Sequence, residues 1–248
     1  MNPVRPPGLP TDLAMTADNL PSLPPLPETP LEAVPNVVQE QVIVEGVTFW
    51  IERPVESNRL LDHPAIQSAF AADEYLPYWA DLWPAARMLA KAVLREPWPG
   101  GLEALEIGCG LGLPGIAALS RGLRVTFSDY DATALRFAAA NARLNGQDNF
   151  RLLPMDWRSP PADLRVPVIL ASDLIYELRS VEPVVALIKK VLLPEGRCLL
   201  TDQDRVPSFT LREALTAHGL DYTTQAMRAG EPGGRRVKGT LYRIGHRR

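Results

Sequence analysis

Cysteine and histidine are both scarce in this chain of 248 residues. The two cysteines stand far apart and the three histidines are scattered, so the chain has neither the spacing of a zinc site nor that of a disulfide framework. The residues concerned are Cys109, Cys198, His63, His218 and His246. We therefore expect no bound metal and no disulfide bond.

Long apolar runs and an excess of positive charge are also missing. No run reaches the roughly 18 apolar residues that a membrane-spanning helix needs. The first residues lack a basic segment followed by an apolar one, so no secretory signal is predicted. The formal net charge of −3 provides no general attraction for nucleic acid. We expect a cytoplasmic protein that binds neither nucleic acid nor membranes.

Proline is concentrated at the beginning of the chain, where residues 1–36 contain ten of the 25 prolines. Such sequence buries too little apolar surface to offset the entropy that is lost on ordering. We therefore divide the chain into a disordered, proline-rich arm at residues 1–36 and one folded domain at residues 37–248. The first part of that domain, residues 37–84, combines a predicted β-hairpin with a tryptophan-rich aromatic segment at residues 75–84.

Glycine marks the stretch around which the chain is organised, residues 104–115, which read Ala-Leu-Glu-Ile-Gly-Cys-Gly-Leu-Gly-Leu-Pro-Gly. Its apolar residues predict the end of a buried strand, and Pro114 suits the start of a helix. Between them, Gly108, Gly110 and Gly112 leave a glycine loop (residues 108–112) with few side chains. A ligand could approach the loop backbone and the free N–H groups of the helix start. Together these features predict a cradle of the kind that binds nucleotides.

Two kinds of cofactor use such a cradle. Residues 110–115 fit the dinucleotide pattern G-x-G-x-x-G, which is a weak signal on its own. Glu106, just before the loop, would repel a pyrophosphate but could accept a hydrogen bond from a cationic ligand. S-adenosylmethionine (SAM) is cationic and has no phosphate, and Leu-Glu-Ile-Gly-Cys-Gly-Leu-Gly resembles the first SAM-binding motif of class I methyltransferases. We therefore predict SAM rather than a nicotinamide or flavin cofactor.

The rest of the domain alternates between predicted strands and helices, which is typical of a parallel sheet with helices on both faces. The alternation includes a strand at residues 150–154 and a helix at residues 181–193 that residues 194–196 would end. Asp131 is the predicted N-cap of another helix. Residues 45–46 supply the turn of the first hairpin, and residues 231–234 supply the turn of the closing one.

Ligands of parallel sheets bind beyond the carboxyl ends of the strands, where Asp129, Asp156 and Asp173 stand. Asp129 follows the glycines by about 20 residues, the spacing at which a carboxylate meets ribose hydroxyls. We assign Asp156 to the adenine amine and Trp157 to the adenine face, with plain packing as an open alternative for Trp157. Three neighbouring residues complete the predicted cofactor site: Trp83, Tyr130 and Ser172.

A further motif follows the fourth predicted strand, where Asp173-Leu-Ile-Tyr176 replaces the Asn-Pro-Pro-Tyr of methylases that act on planar amide or nucleobase nitrogens. Asp-x-x-Tyr at this place, together with the aromatic segment, resembles the seven-strand protein-lysine methyltransferases of methyltransferase family 16. Relatives of this kind act on the electron-transfer flavoprotein β-subunit. The resemblance covers residues 40–248. It implies a Rossmann-like α/β fold, with a seven-stranded, mostly parallel sheet, helices on both faces and a C-terminal antiparallel hairpin.

The resemblance also implies a function. It implies SAM-dependent N-methylation of a lysine in a protein substrate, with S-adenosylhomocysteine as the product, no metal, and a monomeric enzyme. In this interpretation Asp173 orients the attacking amine and Tyr176 lines its channel. Three alternatives stay open: methylation of a small-molecule amine, a NAD-dependent oxidoreductase, and a SAM-binding protein without catalytic activity.

Overall fold

Alternating β-branched and aromatic residues open the folded part of the chain and form the predicted hairpin. The computed structural model describes residues 36–205, 207–230, 234 and 236–247, so the predicted arm, apart from Asn36, lies outside the described residues. Strands β1 (Val37–Val44) and β2 (Val47–Pro54) pair antiparallel. Glu45 and Gly46 both have positive φ, as a two-residue type I′ turn requires.

The strand–helix alternation predicted from the sequence is present. Short 3₁₀ turns at Ser57–Asp62 and Tyr78–Ala80 precede the first two helices. The remaining elements, in chain order, are α1 (Pro64–Asp73), α2 (Pro84–Arg95), β3 (Glu103–Ile107), α3 (Leu113–Ser120), β4 (Arg124–Asp129), α4 (Ala132–Leu144), β5 (Phe150–Pro154), β6 (Val166–Ser172), α5 (Leu178–Val191), β7 (Leu192–Asp202), α6 (Pro207–Ala217), β8 (Leu220–Ala229) and β9 (Val237–His246). Among the helices described, none combines the length and apolar character that crossing a membrane requires.

Seven strands form one sheet in the order β5-β4-β3-β6-β7-β9-β8. Strands β3 to β7 run parallel, and β9 pairs antiparallel with both β7 and β8. The predicted mostly parallel sheet with a C-terminal antiparallel hairpin is therefore confirmed. Because β3 lies inside the sheet, the glycine loop that follows it has strand ends on both sides.

Different helices cover the two faces of the sheet. Ala104 of β3 packs in the core that is shared with α2, α3, α4 and the hairpin, whereas Leu105 and Ile107 pack with α5 and α6. Side chains alternate along a strand, so Glu106 faces the same side as Ala104, beneath α3. This alternation decides where the carboxylate of the glycine motif lies.

The boundary between α5 and β7 differs from the prediction. The sequence predicted a helix at residues 181–193 that residues 194–196 would end, but α5 begins at Leu178 and β7 begins at Leu192. Leu192 pairs with Val166 of β6, and the register shifts just after that pair, at Pro167. Proline has no N–H to give to a strand ladder. Pairing between distant strands therefore draws residues 194–196 into β7. Residues 231–233 of the predicted turn at 231–234 lie outside the described residues.

Asn141 of α4 and Asn145, the C-cap residue that follows α4, anchor the hairpin. Asn141 accepts the N–H of Glu52 at 2.7 Å and donates to its carbonyl at 3.0 Å, and Asn145 makes the same pair of bonds with Trp50 at 2.9 and 2.7 Å. Four residues of helix rise about 6 Å, close to the roughly 6.8 Å of two strand residues, so the two spacings match. Asn141 is fully buried and also donates to the Leu111 carbonyl at 3.0 Å. One side chain thus links the hairpin to the glycine loop.

Candidate active site

The carboxyl ends of the parallel strands face a cavity of about 650 Å³. Its walls come from the glycine loop, the chain after β4, β5 and β6, the start of α5, and the aromatic segment. Of the predicted site residues, those that line the cavity are Trp83, Gly108, Gly110, Gly112, Asp129, Tyr130, Asp156, Trp157, Ser172, Asp173 and Tyr176. The His, Cys, Asp and Glu side chains that the structure describes form no group of three or more that could hold a metal ion.

The glycine loop is held by hydrogen bonds from its own N–H groups. Gly110 donates to Oδ2 of Asp129 at 3.0 Å, and Gly112 donates to a carbonyl inside the loop at 2.8 Å. Gly108 has a φ of +59°, and a Cβ there would lie 2.4 Å from Cδ2 of Leu174. The positive φ favours glycine at Gly108, and a side chain there would also displace the end of the Leu174 side chain.

Glu106 lies beneath the glycine loop and is not among the residues that line the cavity. Its Oε2 accepts the N–H of Gly115 at 2.9 Å, so this N–H of the helix start is not free, contrary to prediction. Its Oε1 is buried and has no hydrogen-bond partner among the described residues. Burial raises the pKa of Glu106 well above its usual value. Position within the motif suggested a ligand contact, but strand alternation directs the side chain to α3.

Asp129 lies beside the glycine loop, at the end of β4. Its Oδ2 accepts the N–H of Gly110 and its Oδ1 accepts the N–H of Asp131, both at 3.0 Å. Burial raises the pKa of Asp129 to about 6, although these backbone hydrogen bonds act in the opposite direction. A carboxylate offers about four acceptor positions, so Asp129 can still accept a hydrogen bond from a hydroxyl group in the cavity.

Asp156 and Trp157 follow β5. Asp156 already has a partner in its own loop, since the Arg158 N–H donates to Oδ1 at 2.8 Å and the Arg158 guanidinium lies 2.8 Å from Oδ2. Trp157 lies close to the glycine loop, with Cζ3 3.4 Å from where a Cβ on Gly108 would be. Tyr130, also on the cavity wall, is 59% exposed. The residues predicted for the adenosine part of the cofactor therefore line the same cavity as the glycine loop.

Hydrogen bonds fix the aromatic segment to the start of α4. The Tyr75 hydroxyl donates to Oδ2 of Asp131, and Nε1 of Trp79 donates to the Tyr75 oxygen at 3.1 Å. Asp131 caps α4 as predicted, accepting the N–H of Thr133 at 2.6 Å. The Trp79 ring is buried, with its centre 5.3 Å from that of Phe137. Trp79 therefore packs in the hydrophobic core.

Three aromatic rings form another wall of the cavity. The ring centre of Tyr78 lies 6.0 Å from that of Trp83 and 5.1 Å from that of Tyr176, in edge-to-face arrangements. Nε1 of Trp83 donates to the Tyr78 carbonyl at 2.8 Å. Burial raises the pKa of Tyr176 to about 12, so its phenol is neutral at physiological pH. Sequence reasoning missed Tyr78, although it belongs to the aromatic segment.

Asp173 begins the segment after β6, with a φ of +59° and its N–H bonded to the Thr201 carbonyl at 2.9 Å. Its buried carboxylate is held by a bidentate pair with Arg205, at 2.8 Å from Oδ1 and 3.1 Å from Oδ2. Nε2 of Gln203 also donates to Oδ2. Burial raises the pKa of Asp173, although the charge of Arg205 acts to lower it.

Gln203 and Arg205 are the principal residues that sequence reasoning missed. Both follow β7, the fifth parallel strand, so the same rule of strand ends would have pointed to this loop. The Arg205 guanidinium also lies 5.9 Å from the ring centre of Trp83. It therefore connects the carboxylate of Asp173 to the aromatic wall.

The fold and the cavity together define the class of protein. A glycine loop after the first parallel strand and a C-terminal antiparallel hairpin belong to the Rossmann-like fold of class I SAM-dependent methyltransferases. The ribosomal protein L11 methylase of Lactobacillus delbrueckii subsp. bulgaricus has this fold and aligns with a TM-score of 0.53. The alignment covers 66% of this chain and 79% of that chain at 18% identity.

Sequence comparison narrows the class to a family. The sequence model described as lysine methyltransferase matches residues 79–213, which is more than half of the chain. The chain belongs to this family of lysine methyltransferases.

Two curated relatives share parts of the sequence. The protein-lysine N-methyltransferase rrg1 of Schizosaccharomyces pombe is 26% identical over 86% of this chain and 69% of its own length. The histidine protein methyltransferase 1 homolog of Dictyostelium discoideum is 35% identical over 42% of this chain. The chain spans only 35% of the length of the Dictyostelium protein.

Proposed function

We propose that the protein transfers a methyl group from SAM to the side-chain amine of a lysine in a protein substrate. The main support is that one cavity is lined by the glycine loop, Asp129, the aromatic wall and Asp173. Family membership supports lysine as the acceptor. Both curated relatives are named for the methylation of proteins, which favours a protein substrate over a small-molecule amine.

The residues around the glycine loop fit SAM. Asp129 keeps an acceptor position for the ribose hydroxyls. We assign the adenine amine to Asp156 and the adenine face to Trp157, since both line the same cavity. We place Trp83, Tyr130 and Ser172 in the same site, whereas Glu106 acts on the loop through Gly115. When bound, SAM supplies a methyl group that its sulfonium makes electrophilic, and S-adenosylhomocysteine is the product.

The aromatic wall and Asp173 suit a neutral amine. A lysine has a reference pKa of about 10.4, and partial desolvation among Tyr78, Trp83 and Tyr176 would lower it. Three of the roughly four acceptor positions of Asp173 are occupied by Arg205 and Gln203, which leaves one on Oδ1 to orient an amine N–H. With its proton already lost to solvent, the amine would present its nitrogen lone pair to the methyl group, so that the C–N bond forms as the C–S bond breaks and the positive charge passes from sulfur to nitrogen. Aromatic faces also favour the methylated ammonium that results.

We also propose which part of the chain is catalytic and where the enzyme acts. Residues 37–248 would form the catalytic domain, and residues 1–36 would not be needed for methyl transfer. We place the enzyme in the cytoplasm, as a monomer. Its acceptor would be a protein that presents a lysine, without nucleic acid or a membrane as partner.

Calorimetry tests the cofactor assignment. SAM and S-adenosylhomocysteine should bind the wild-type protein, and NAD should not. Asp129→Ala should weaken both adenosine ligands, because a hydrogen bond to a charged acceptor contributes ~1.5–3 kcal/mol. The exposed carboxylate of Asp148 gives a matched control, since Asp148→Ala removes a charge outside the cavity and should leave both affinities unchanged. Binding of NAD without binding of SAM would overturn the proposal.

A further inference from the structure

Asp173 and Arg205 form a geometrically complete ion pair inside the cavity. Two parallel N–H···O bonds of 2.8 and 3.1 Å join the guanidinium to the carboxylate. The guanidinium also lies 5.9 Å from the ring centre of Trp83. Asp173 is 8% exposed, and both residues line the cavity. Arginine is always charged and its planar fork matches a carboxylate, so this pair is neutral as a unit.

A free carboxylate at this place would hinder methylation of an amine. An opposite charge within about 4–6 Å raises the pKa of an ammonium by about one to three units. The ammonium has no lone pair and cannot attack a methyl group. An uncompensated Asp173 would therefore bind the lysine well while holding it in the unreactive, protonated form.

We propose that Arg205 is a positioning residue that compensates the charge of Asp173, so that the substrate amine binds in its neutral, nucleophilic form. The pair leaves one acceptor position on Oδ1, through which Asp173 orients the amine without stabilising its protonated form. The inference rests on the proposed transfer to a lysine amine. It assigns a role to a residue of the loop after β7, outside both sequence motifs.

Other charged or titratable groups surround the pair, and variants of Asp173 and Arg205 retain all of them. Asp202 of β7 is buried and interacts electrostatically with both Asp173 and Arg205. The remaining such groups on the cavity wall are Glu74, Tyr75, Tyr78, Asp81, Cys109, Asp129, Tyr130, Asp131, Asp156, Arg158, Tyr176, Glu177 and Arg179. Because these groups are common to all the proteins compared, differences between pH profiles report on Asp173 and Arg205.

The test is the pH profile of methyl transfer at saturating SAM. Initial rates of tritium transfer from labelled SAM into total protein extract of the source cells are measured for wild type, Arg205→Gln, Asp173→Asn, Arg205→Lys and the double variant Arg205→Gln/Asp173→Asn. We expect the acidic limb of the pH profile to move up by about one to two pH units in Arg205→Gln. The methylation rate of this variant at neutral pH should therefore be lower by tenfold or more. The limb of Asp173→Asn should move down, because Arg205 then repels the ammonium.

The double variant and Arg205→Lys separate charge from structure. Both should keep the wild-type position of the limb, since neither leaves an uncompensated charge, although their rates can be lower throughout. Melting temperature and S-adenosylhomocysteine binding identify any variant that does not fold, and Asp173→Asn tests the inference even where Arg205→Gln does not. Equal limb positions in wild type and in whichever of Arg205→Gln and Asp173→Asn folds would overturn the inference alone. Absence of labelled protein with wild type at every pH would overturn the proposed function and this inference with it.

Discussion

The ionisation of Asp129 should make the affinity for SAM depend on pH. Its pKa in the ligand-free protein is about 6, and ribose hydroxyls donate best to the ionised form. The ligand-bound protein should therefore hold this proton less tightly, so affinity rises with pH up to about 6 and falls by up to about tenfold per unit below it. Calorimetry with SAM between about pH 5 and pH 7 measures this slope.

The control for this pH dependence is Asp129→Asn, which keeps the shape of the side chain and removes its ionisation. Its affinity should be lower and nearly independent of pH over the same range. Glu106 and Asp173 also have raised pKa values. If the variant kept the wild-type slope, the titrating group would be one of those carboxyls and the role of Asp129 would be wrong.

Asp173 and Tyr176 should affect turnover more than cofactor binding. Asp173→Ala should lower the methylation rate by about 100-fold, because the amine loses its orienting acceptor, while Asp129 and the glycine loop still hold SAM. Tyr176→Phe should cost less than about tenfold, because the aromatic wall remains. Turnover, SAM affinity and melting temperature are measured on the same proteins. Unchanged turnover, or a parallel loss of melting temperature and SAM affinity, would show that Asp173 is only structural.

The placement of side chains in the cavity was predictable where it depends on strand ends and not where it depends on distant partners. Asp129, Asp156 and Asp173 line the cavity because each follows a parallel strand. Glu106 does not line the cavity, because alternation along β3 turns its side chain beneath α3. The ion pair with Arg205 joins residues 32 positions apart, and no local pattern encodes such a contact.

At the scale of elements, the hairpin depends on helix α4. Asn141→Ala should lower the free energy of unfolding by ~2–4 kcal/mol, because the partly buried backbone groups of Glu52 and the buried carbonyl of Leu111 lose their partners. Asn145→Ala provides the matched control one turn along the helix, and its more exposed bonds to Trp50 should be worth about 1 kcal/mol. Denaturant unfolding measures both values. A loss at Asn141 no larger than that at Asn145 would contradict the anchoring role.

Most elements were predictable from local pattern, since hydrophobic alternation, glycine stops and helix caps act over a few residues. The hairpin turn at Glu45, the Asp131 cap and the strand at Phe150–Pro154 are found as predicted. The boundary between α5 and β7 was wrong because pairing of Leu192 with Val166 determines it. The anchoring of β2 by α4 was not foreseen, because the matching spacings lie about 90 residues apart in sequence.

At the scale of the whole molecule, the composition of residues 1–36 predicts that they contribute little to stability. Deleting residues 1–35 should change the melting temperature by less than about 2 °C, because proline-rich sequence of this kind buries little apolar surface. Differential scanning calorimetry of the shortened and full-length proteins makes the comparison. A fall of about 5 °C or more would show that the segment packs on the domain.

Methyl transfer to a protein lysine is tested most directly by identifying the methylated residue. Total protein extract of the source cells is incubated with methyl-tritiated SAM and the enzyme, and the labelled protein is hydrolysed and separated into amino acids. We expect the label in ε-N-methylated lysine with wild type, and a loss of about 100-fold with Asp173→Ala. Label in methylated histidine, or label confined to small molecules, would contradict the proposed function.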